Sequence, residues 1–129
     1  MTETSNFLKR ALLADAAVSG ASALLQLMAA EMLAQYTALS AALLRGTGVF
    51  LIAYVALLVG MALRPRLPRA LVWVVIVGNV AWAIGALALC RGLPMLGVAF
   101  CVIQAATVLV FAELEYVGLG RGARAEVAV

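Results

Sequence analysis

Four long apolar blocks, separated by short polar segments, dominate the pattern of the chain. The blocks cover residues 8–33, 42–63, 70–90 and 95–117. Each has roughly the 20 residues that an α-helix needs to cross a hydrocarbon core of about 30 Å. None shows the period-two alternation of a transmembrane β-strand. We therefore predict an all-α, polytopic membrane protein, a four-transmembrane-helix bundle that forms a single membrane domain over residues 1–129.

The segments between the blocks carry residues that end membrane helices. Residues 34–41 are the most polar interior segment and predict a loop. Residues 64–69 contain two prolines and the basic cluster Arg64, Arg66 and Arg69, which stop a helix and stay out of lipid. Residues 91–94 predict a tight turn. Residues 118–129, which contain several glycines and arginines, predict a flexible cytoplasmic tail.

The distribution of charge predicts how the helices cross the membrane. Only 12% of the residues are charged and 67% are apolar, too few polar side chains to cover a soluble domain of this length. The net charge of +3 comes from basic residues at block ends, with no basic face that would bind nucleic acid. Two of them, Arg45 and Arg91, fall on one side of the predicted bundle. The other seven fall on the opposite side: Lys9, Arg10, Arg64, Arg66, Arg69, Arg121 and Arg124. The positive-inside rule then places both termini in the cytoplasm.

Polar residues recur on one face of the first block. Asp15, Ser19, Ser22 and Gln26 are spaced by four, three and four residues, so a helix aligns them. One interpretation is a helix–helix interface with hydrogen bonds across it. The other is a polar groove for a proton, an ion or a lipid headgroup. Asp15 is expected either to pair with an arginine of the middle loop or to be protonated, and the pattern leaves both open.

The remaining polar residues of the blocks predict contacts between helices. Asn79 and Gln104 are expected to form a side-chain amide pair across the hairpin of the third and fourth helices. Glu113 and Glu115 are expected to point in different directions, with at least one contacting Arg10 or the basic cluster. Glu31 and Arg45 are expected to pair on the opposite side of the membrane.

Several kinds of chemistry lack the residues they need. The chain has no histidine, and two cysteines, Cys90 and Cys101, cannot complete a zinc or iron–sulfur site. The turn at 91–94 places Cys101 deeper than Cys90, which disfavours a disulfide. No phosphate-binding loop and no nucleophile with a neighbouring base is present. We therefore expect no enzyme activity, no metal and no cofactor.

Three segments, 9–15, 70–79 and 111–119, resemble a group of small four-span bacterial integral membrane proteins of unassigned function. The resemblance implies a multi-pass protein of the bacterial inner membrane. Asp15 also invites comparison with the small multidrug-resistance transporters, which have four short helices and a carboxylate in the first. Those transporters carry a glutamate there, and their other motifs are not matched.

Two functions follow as hypotheses. The first is a structural or accessory subunit, or an assembly factor, of a larger membrane complex. The alternative is a small oligomeric transporter or channel, coupled to protons or ions through Asp15. The expected partners are the lipid bilayer, other membrane subunits or further copies of the chain.

Overall fold

The computed structural model describes residues 2–128, and the side chains of residues 4–121. Its elements are β1 (Thr2–Glu3), α1 (Asn6–Met28), α2 (Ala30–Thr37), α3 (Ala41–Ala62), β2 (Arg66–Leu67), α4 (Arg69–Leu89) and α5 (Met95–Ala128). Four helices are long and apolar enough to cross a membrane: α1, α3, α4 and α5 as far as Arg121. The predicted all-α architecture with four membrane helices is thereby confirmed.

Local sequence explains where several helices begin and end. Ser5 and Ser40 precede α1 and α3, and their hydroxyls accept hydrogen bonds from the amides of Leu8 and Leu43 at 3.1 and 3.0 Å. The turn between α4 and α5 contains Gly92 at φ 73°, a left-handed conformation that favours glycine. Polar caps and glycine therefore set these boundaries.

Two boundaries differ from the prediction. The first block is divided at Ala29, and helix α2 continues to Thr37 through most of the predicted loop. At the other end, α5 continues beyond 117 to Ala128, where a flexible tail was predicted. Gly118 and Leu119 are buried in this extension because they pack beside α1. This packing favours helix over coil. Val129 and the side chains of 122–129 lie outside the described residues.

The bundle consists of two helical hairpins side by side. Helix α3 packs chiefly on α1, α4 packs chiefly on α5, and α1 with α5 joins the two hairpins. One apolar core lies at each end of the bundle. The first contains Leu8, Leu12, Leu58, Leu67 and Leu119. The second contains Leu39, Leu44, Ala83, Cys101 and Ala105.

The N-terminal segment, the α3–α4 loop and the end of α5 meet at the same end of the bundle. Strand β1 pairs antiparallel with β2, and the amide of Thr4 donates to the carbonyl of Pro65 at 2.9 Å. The Arg121 guanidinium lies over the Phe7 ring, 4.4 Å from its centroid. We call this end the basic end, because it also contains Lys9, Arg10, Arg64, Arg66 and Arg69. Arg45 and Arg91 are at the opposite end, and the Arg124 side chain is outside the described residues.

Candidate functional site: a buried carboxyl centre

Each membrane helix contributes a polar side chain to one buried group between the two apolar cores. Asp15 and Ser19 come from α1, Tyr54 from α3, Asn79 from α4 and Glu115 from α5. Their side chains are linked by hydrogen bonds. We call these five residues the carboxyl centre.

The amide of Asn79 connects the two acidic residues. Its nitrogen donates to Glu115 Oε1 at 2.8 Å and to Asp15 Oδ2 at 3.3 Å. Because both oxygens are within hydrogen-bonding distance of one nitrogen, they are at most about 6 Å apart. The positions of Asp15 and Glu115 along their own helices do not predict this approach, which depends on α1 packing beside α5.

Neutral hydroxyl groups complete the contacts of the centre. Ser19, one turn after Asp15, donates to Asp15 Oδ1 at 2.9 Å. The Tyr54 hydroxyl lies 3.1 Å from Asp15 Oδ2 and 3.0 Å from Asn79 Oδ1. Among the side chains of residues 4–121, the hydroxyl and amide groups that donate to the two carboxyls are therefore uncharged.

Burial makes this arrangement energetically demanding. Asp15 and Glu115 are both 0% exposed, and Glu115 Oε2 has no hydrogen-bond partner. Two neighbouring negative charges held by neutral donors in a low-dielectric interior repel each other strongly. A proton on one carboxyl removes that repulsion.

The carboxyl centre has fewer donor protons than hydrogen-bond contacts. Ser19 and Tyr54 supply one proton each and the Asn79 amide supplies two, whereas the centre contains five donor–acceptor contacts. The single Tyr54 proton therefore serves two acceptors, Asp15 Oδ2 and Asn79 Oδ1.

A second polar group lies towards the opposite end from the basic end. Gln26 bonds to Ser22 at 3.0 Å and accepts a hydrogen bond from Thr47. Gln104 donates to Ser22 at 3.1 Å and accepts from the Trp82 indole at 3.2 Å. The aligned face of Asp15, Ser19, Ser22 and Gln26 thus points inward and bonds to all three other membrane helices.

The predicted Asn79–Gln104 pair is wrong. Asn79 bonds to Tyr54, Asp15 and Glu115, and Gln104 bonds to Ser22 and Trp82. Glu115 lies three turns beyond Gln104 on the same face of α5 and reaches Asn79 instead. A carboxylate is a stronger acceptor than an amide oxygen, which favours this pairing.

The acidic residues of α5 also differ from expectation. Glu115 is buried against Asn79 rather than placed against the basic cluster or Arg10, because its face of α5 is turned inward. Glu113 is exposed, so the two do point in different directions. The expected pair of Glu31 and Arg45 is confirmed at 3.0 Å, between side chains that are 85% and 50% exposed. Such exposed pairs contribute at most about 1 kcal/mol.

Two cavities adjoin the carboxyl centre. One, of about 620 Å³, lies between α3 and α4, and Tyr54 and Asn79 form part of its wall. The other, of about 300 Å³, lies between α1 and α5 and is lined by Asp15. Ser19, Trp82 and Gln104 border both. Both spaces therefore reach the carboxyl centre, and both have mainly apolar walls.

Sequence reasoning missed the roles of Tyr54, Thr47 and Trp82. Each is a polar side chain in an otherwise apolar block, which is the signal that was present. Within the described side chains, no group of three or more Cys, Asp and Glu residues comes together to fit a metal ion.

The chain matches no family model, and comparisons with curated proteins and with solved structures gave no match.

Proposed function

We propose that the chain is a small proton-coupled membrane transporter in which Asp15 and Glu115 hold the exchangeable proton. The observation that carries this proposal is the pairing of two fully buried carboxyl groups on one neutral amide. Ionisable groups inside a membrane protein are costly and mark ion or proton pathways by default. A purely structural role would need only a hydrogen bond between the helices. Neutral amide side chains would supply that bond at a lower desolvation cost than two carboxyl groups.

A proton fits the centre better than a metal cation. The nitrogen of the Asn79 amide, rather than its oxygen, lies between the two carboxyls and occupies the position that a cation would need. Its oxygen is turned towards the Tyr54 hydroxyl at 3.0 Å. This orientation follows from the hydrogen-bond pattern.

The proposal includes a location and a state of assembly. We place the protein in the bacterial inner membrane with both termini in the cytoplasm, because the basic end collects most of the basic residues. We propose that it works as a homo-oligomer, since four helices leave little room for a complete pathway. It has no proposed enzyme activity.

Infrared spectroscopy of the protein in lipid tests for the bound proton. A protonated carboxyl has a carbonyl stretch that shifts when D₂O replaces H₂O. We expect such a band in the wild type, and we expect Asp15→Asn or Glu115→Gln to remove or shift it. Glu113→Gln removes the same charge from an exposed position of α5 and should leave the band unchanged. A spectrum without the band would contradict the proposal.

Reconstituted vesicles test for transport. With a potassium diffusion potential and an internal pH-sensitive dye, the wild type should carry protons faster than empty vesicles. Asp15→Asn should reduce the flux to that of empty vesicles, and Glu113→Gln should retain it. Equal fluxes for wild type and Asp15→Asn would remove the basis for a coupling role of Asp15.

A second candidate, an accessory subunit of a larger membrane complex, is favoured by one surface of α3. Gly46, Ala53 and Gly60 recur every seven residues on an exposed face, and a Cβ at either glycine would meet no atom within 4 Å. Small residues of this kind allow a partner helix to approach closely. Native mass spectrometry from nanodiscs separates the candidates: a stoichiometric complex with other chains favours the accessory role, and a free homo-oligomer favours transport.

A further inference from the structure

The larger cavity has the form of a groove that opens sideways. We call it the lateral groove, formed by Leu43, Phe50 and Tyr54 of α3 and by Gly78, Trp82 and Gly85 of α4. Because α3 packs chiefly on α1 and α4 chiefly on α5, the groove lies where the two hairpins diverge. In a bilayer this opening faces the hydrocarbon layer. Its volume of about 620 Å³ is within the range of about 300–1,000 Å³ that is usual for ligand sites.

The wall of the groove is apolar with one row of uncharged polar groups. The row consists of hydroxyl, amide and indole groups from Ser19, Gln26, Thr47, Tyr54, Asn79, Trp82 and Gln104. No charged side chain lines the groove within the described residues. The carboxyls of Asp15 and Glu115 lie behind Tyr54 and Asn79. A ligand in the groove therefore meets mainly carbon surface. Its hydrogen-bonding groups are chiefly the half-buried Thr47, Tyr54, Trp82 and Gln104, because Gln26 and Asn79 are only 2% and 3% exposed.

We propose that the lateral groove binds an uncharged amphiphile that enters from the membrane, with a long apolar body and one hydroxyl or carbonyl end. Such a molecule is already concentrated in the hydrocarbon layer, and its polar end can exchange hydrogen bonds with the row. A permanently charged end would be desolvated without a paired charge in the wall, which is costly. That this amphiphile is the substrate of the transporter rests on the proposed function. That the groove binds it does not depend on the proposed function.

Two residues link the groove to the proton. Tyr54 and Asn79 line the groove and also bond to Asp15. Tyr54 has one proton for its two acceptors, so a ligand that bonds to its hydroxyl changes which contact is made within the carboxyl centre. Occupation of the groove and the hydrogen bonding of Asp15 are therefore coupled through this hydroxyl.

Fluorescence of Trp82 provides a direct test. The chain has two tryptophans, and Trp73→Phe leaves Trp82 as the single emitter. The probe is undecanol with a terminal bromine, which quenches indole on contact. We expect quenching that saturates and that unbrominated undecanol reverses. Undecyl probes with the same bromine but with a trimethylammonium or a carboxylate end should bind at least tenfold more weakly.

Filling the groove supplies the matched control. Gly85 lines the groove and Gly60 does not, and a Cβ at either position meets no atom within 4 Å. Gly85→Leu should abolish saturable quenching, and Gly60→Leu should retain it, with both variants eluting as the wild type in size-exclusion chromatography. Three results would overturn the proposal: quenching that rises linearly with probe concentration, quenching in Gly85→Leu equal to that of the wild type, or equally strong quenching by a charged probe. If Gly85→Leu does not fold, the test is whether unbrominated undecanol reverses the quenching of Trp82 in the Trp73→Phe protein.

The two proposals fail separately. Saturable quenching without proton flux would reject the transporter and keep the binding site. Proton flux without saturable quenching would reject the binding site and keep the proton pathway.

Discussion

At the scale of residues, Asn79 has the most demanding position in the molecule. One side-chain amide satisfies a carboxyl from α1 and a carboxyl from α5 while its oxygen accepts from α3. Loss of this amide leaves both acidic side chains buried with fewer donors. Removing one partner of a buried charged group costs more than the hydrogen bond itself contributes.

Asn79→Leu is therefore expected to destabilise the fold by about 1–3 kcal/mol. Reversible unfolding in mixed micelles of mild detergent and dodecyl sulfate measures the change. Val77→Leu is the matched control, since Val77 is exposed on the same helix. A variant at position 79 that is as stable as the control would show that the amide is dispensable.

The inward face of α1 is predictable from spacing, because residues four and three apart align on any helix. The partners of that face are not predictable in this way. Gln26 and Thr47, or Asp15 and Glu115, meet only through the packing of separate helices. Sequence spacing carries no information on the relative depth of two helices. For this reason the pairing of Asn79 with Gln104 was wrong although both residues are polar and within the membrane.

At the scale of elements, glycines determine how closely helices approach. A Cβ at Gly97 would overlap the carbonyl oxygen of Thr37, and a Cβ at Gly118 would lie 2.9 Å from Leu8 Cα. The glycines after 117 suggested a flexible tail, yet Gly118 is in a helix because α1 lies against it. No proline or glycine marks the break at Ala29 in the sequence. Composition predicts the existence of these helices well and their ends poorly.

Gly118→Ala should destabilise the protein by about 1–3 kcal/mol, since the backbone of α1 must shift to admit a methyl group. Gly120→Ala is the matched control on the same helix, because a Cβ there meets nothing within 4 Å. That variant should gain up to about 1 kcal/mol from helix propensity. Thermal unfolding in detergent compares them, and equal midpoints would contradict the close approach of α1 and α5.

At the scale of the whole molecule, the two ends of the bundle are unlike each other. The basic end is closed by the β1–β2 pair and by the apolar core around Leu8, Leu67 and Leu119. The lateral groove extends from Tyr54 towards the other end, where Leu39 and Leu89 border it. This asymmetry was not visible in the sequence, although the division of basic residues between the two sides was.

Cysteine labelling tests the proposed orientation. In a background with Cys90→Ala and Cys101→Ala, Asn6→Cys lies at the basic end and Met95→Cys at the opposite end, both exposed. A membrane-impermeant maleimide should label position 95 from outside intact spheroplasts. Position 6 should react only in inside-out vesicles. The reverse pattern would invert the topology.

The division of the carboxyl centre between two hairpins has a consequence for biogenesis. Asp15 and Tyr54 belong to the hairpin that the ribosome makes first, and Asn79 and Glu115 belong to the second. Until the second hairpin is inserted, Asp15 has only Ser19 and Tyr54 as partners. The nascent first hairpin is thus an intermediate with an acidic side chain exposed to lipid or to the insertion machinery. Docking of the second hairpin, rather than insertion of the first, completes the burial of that carboxyl group.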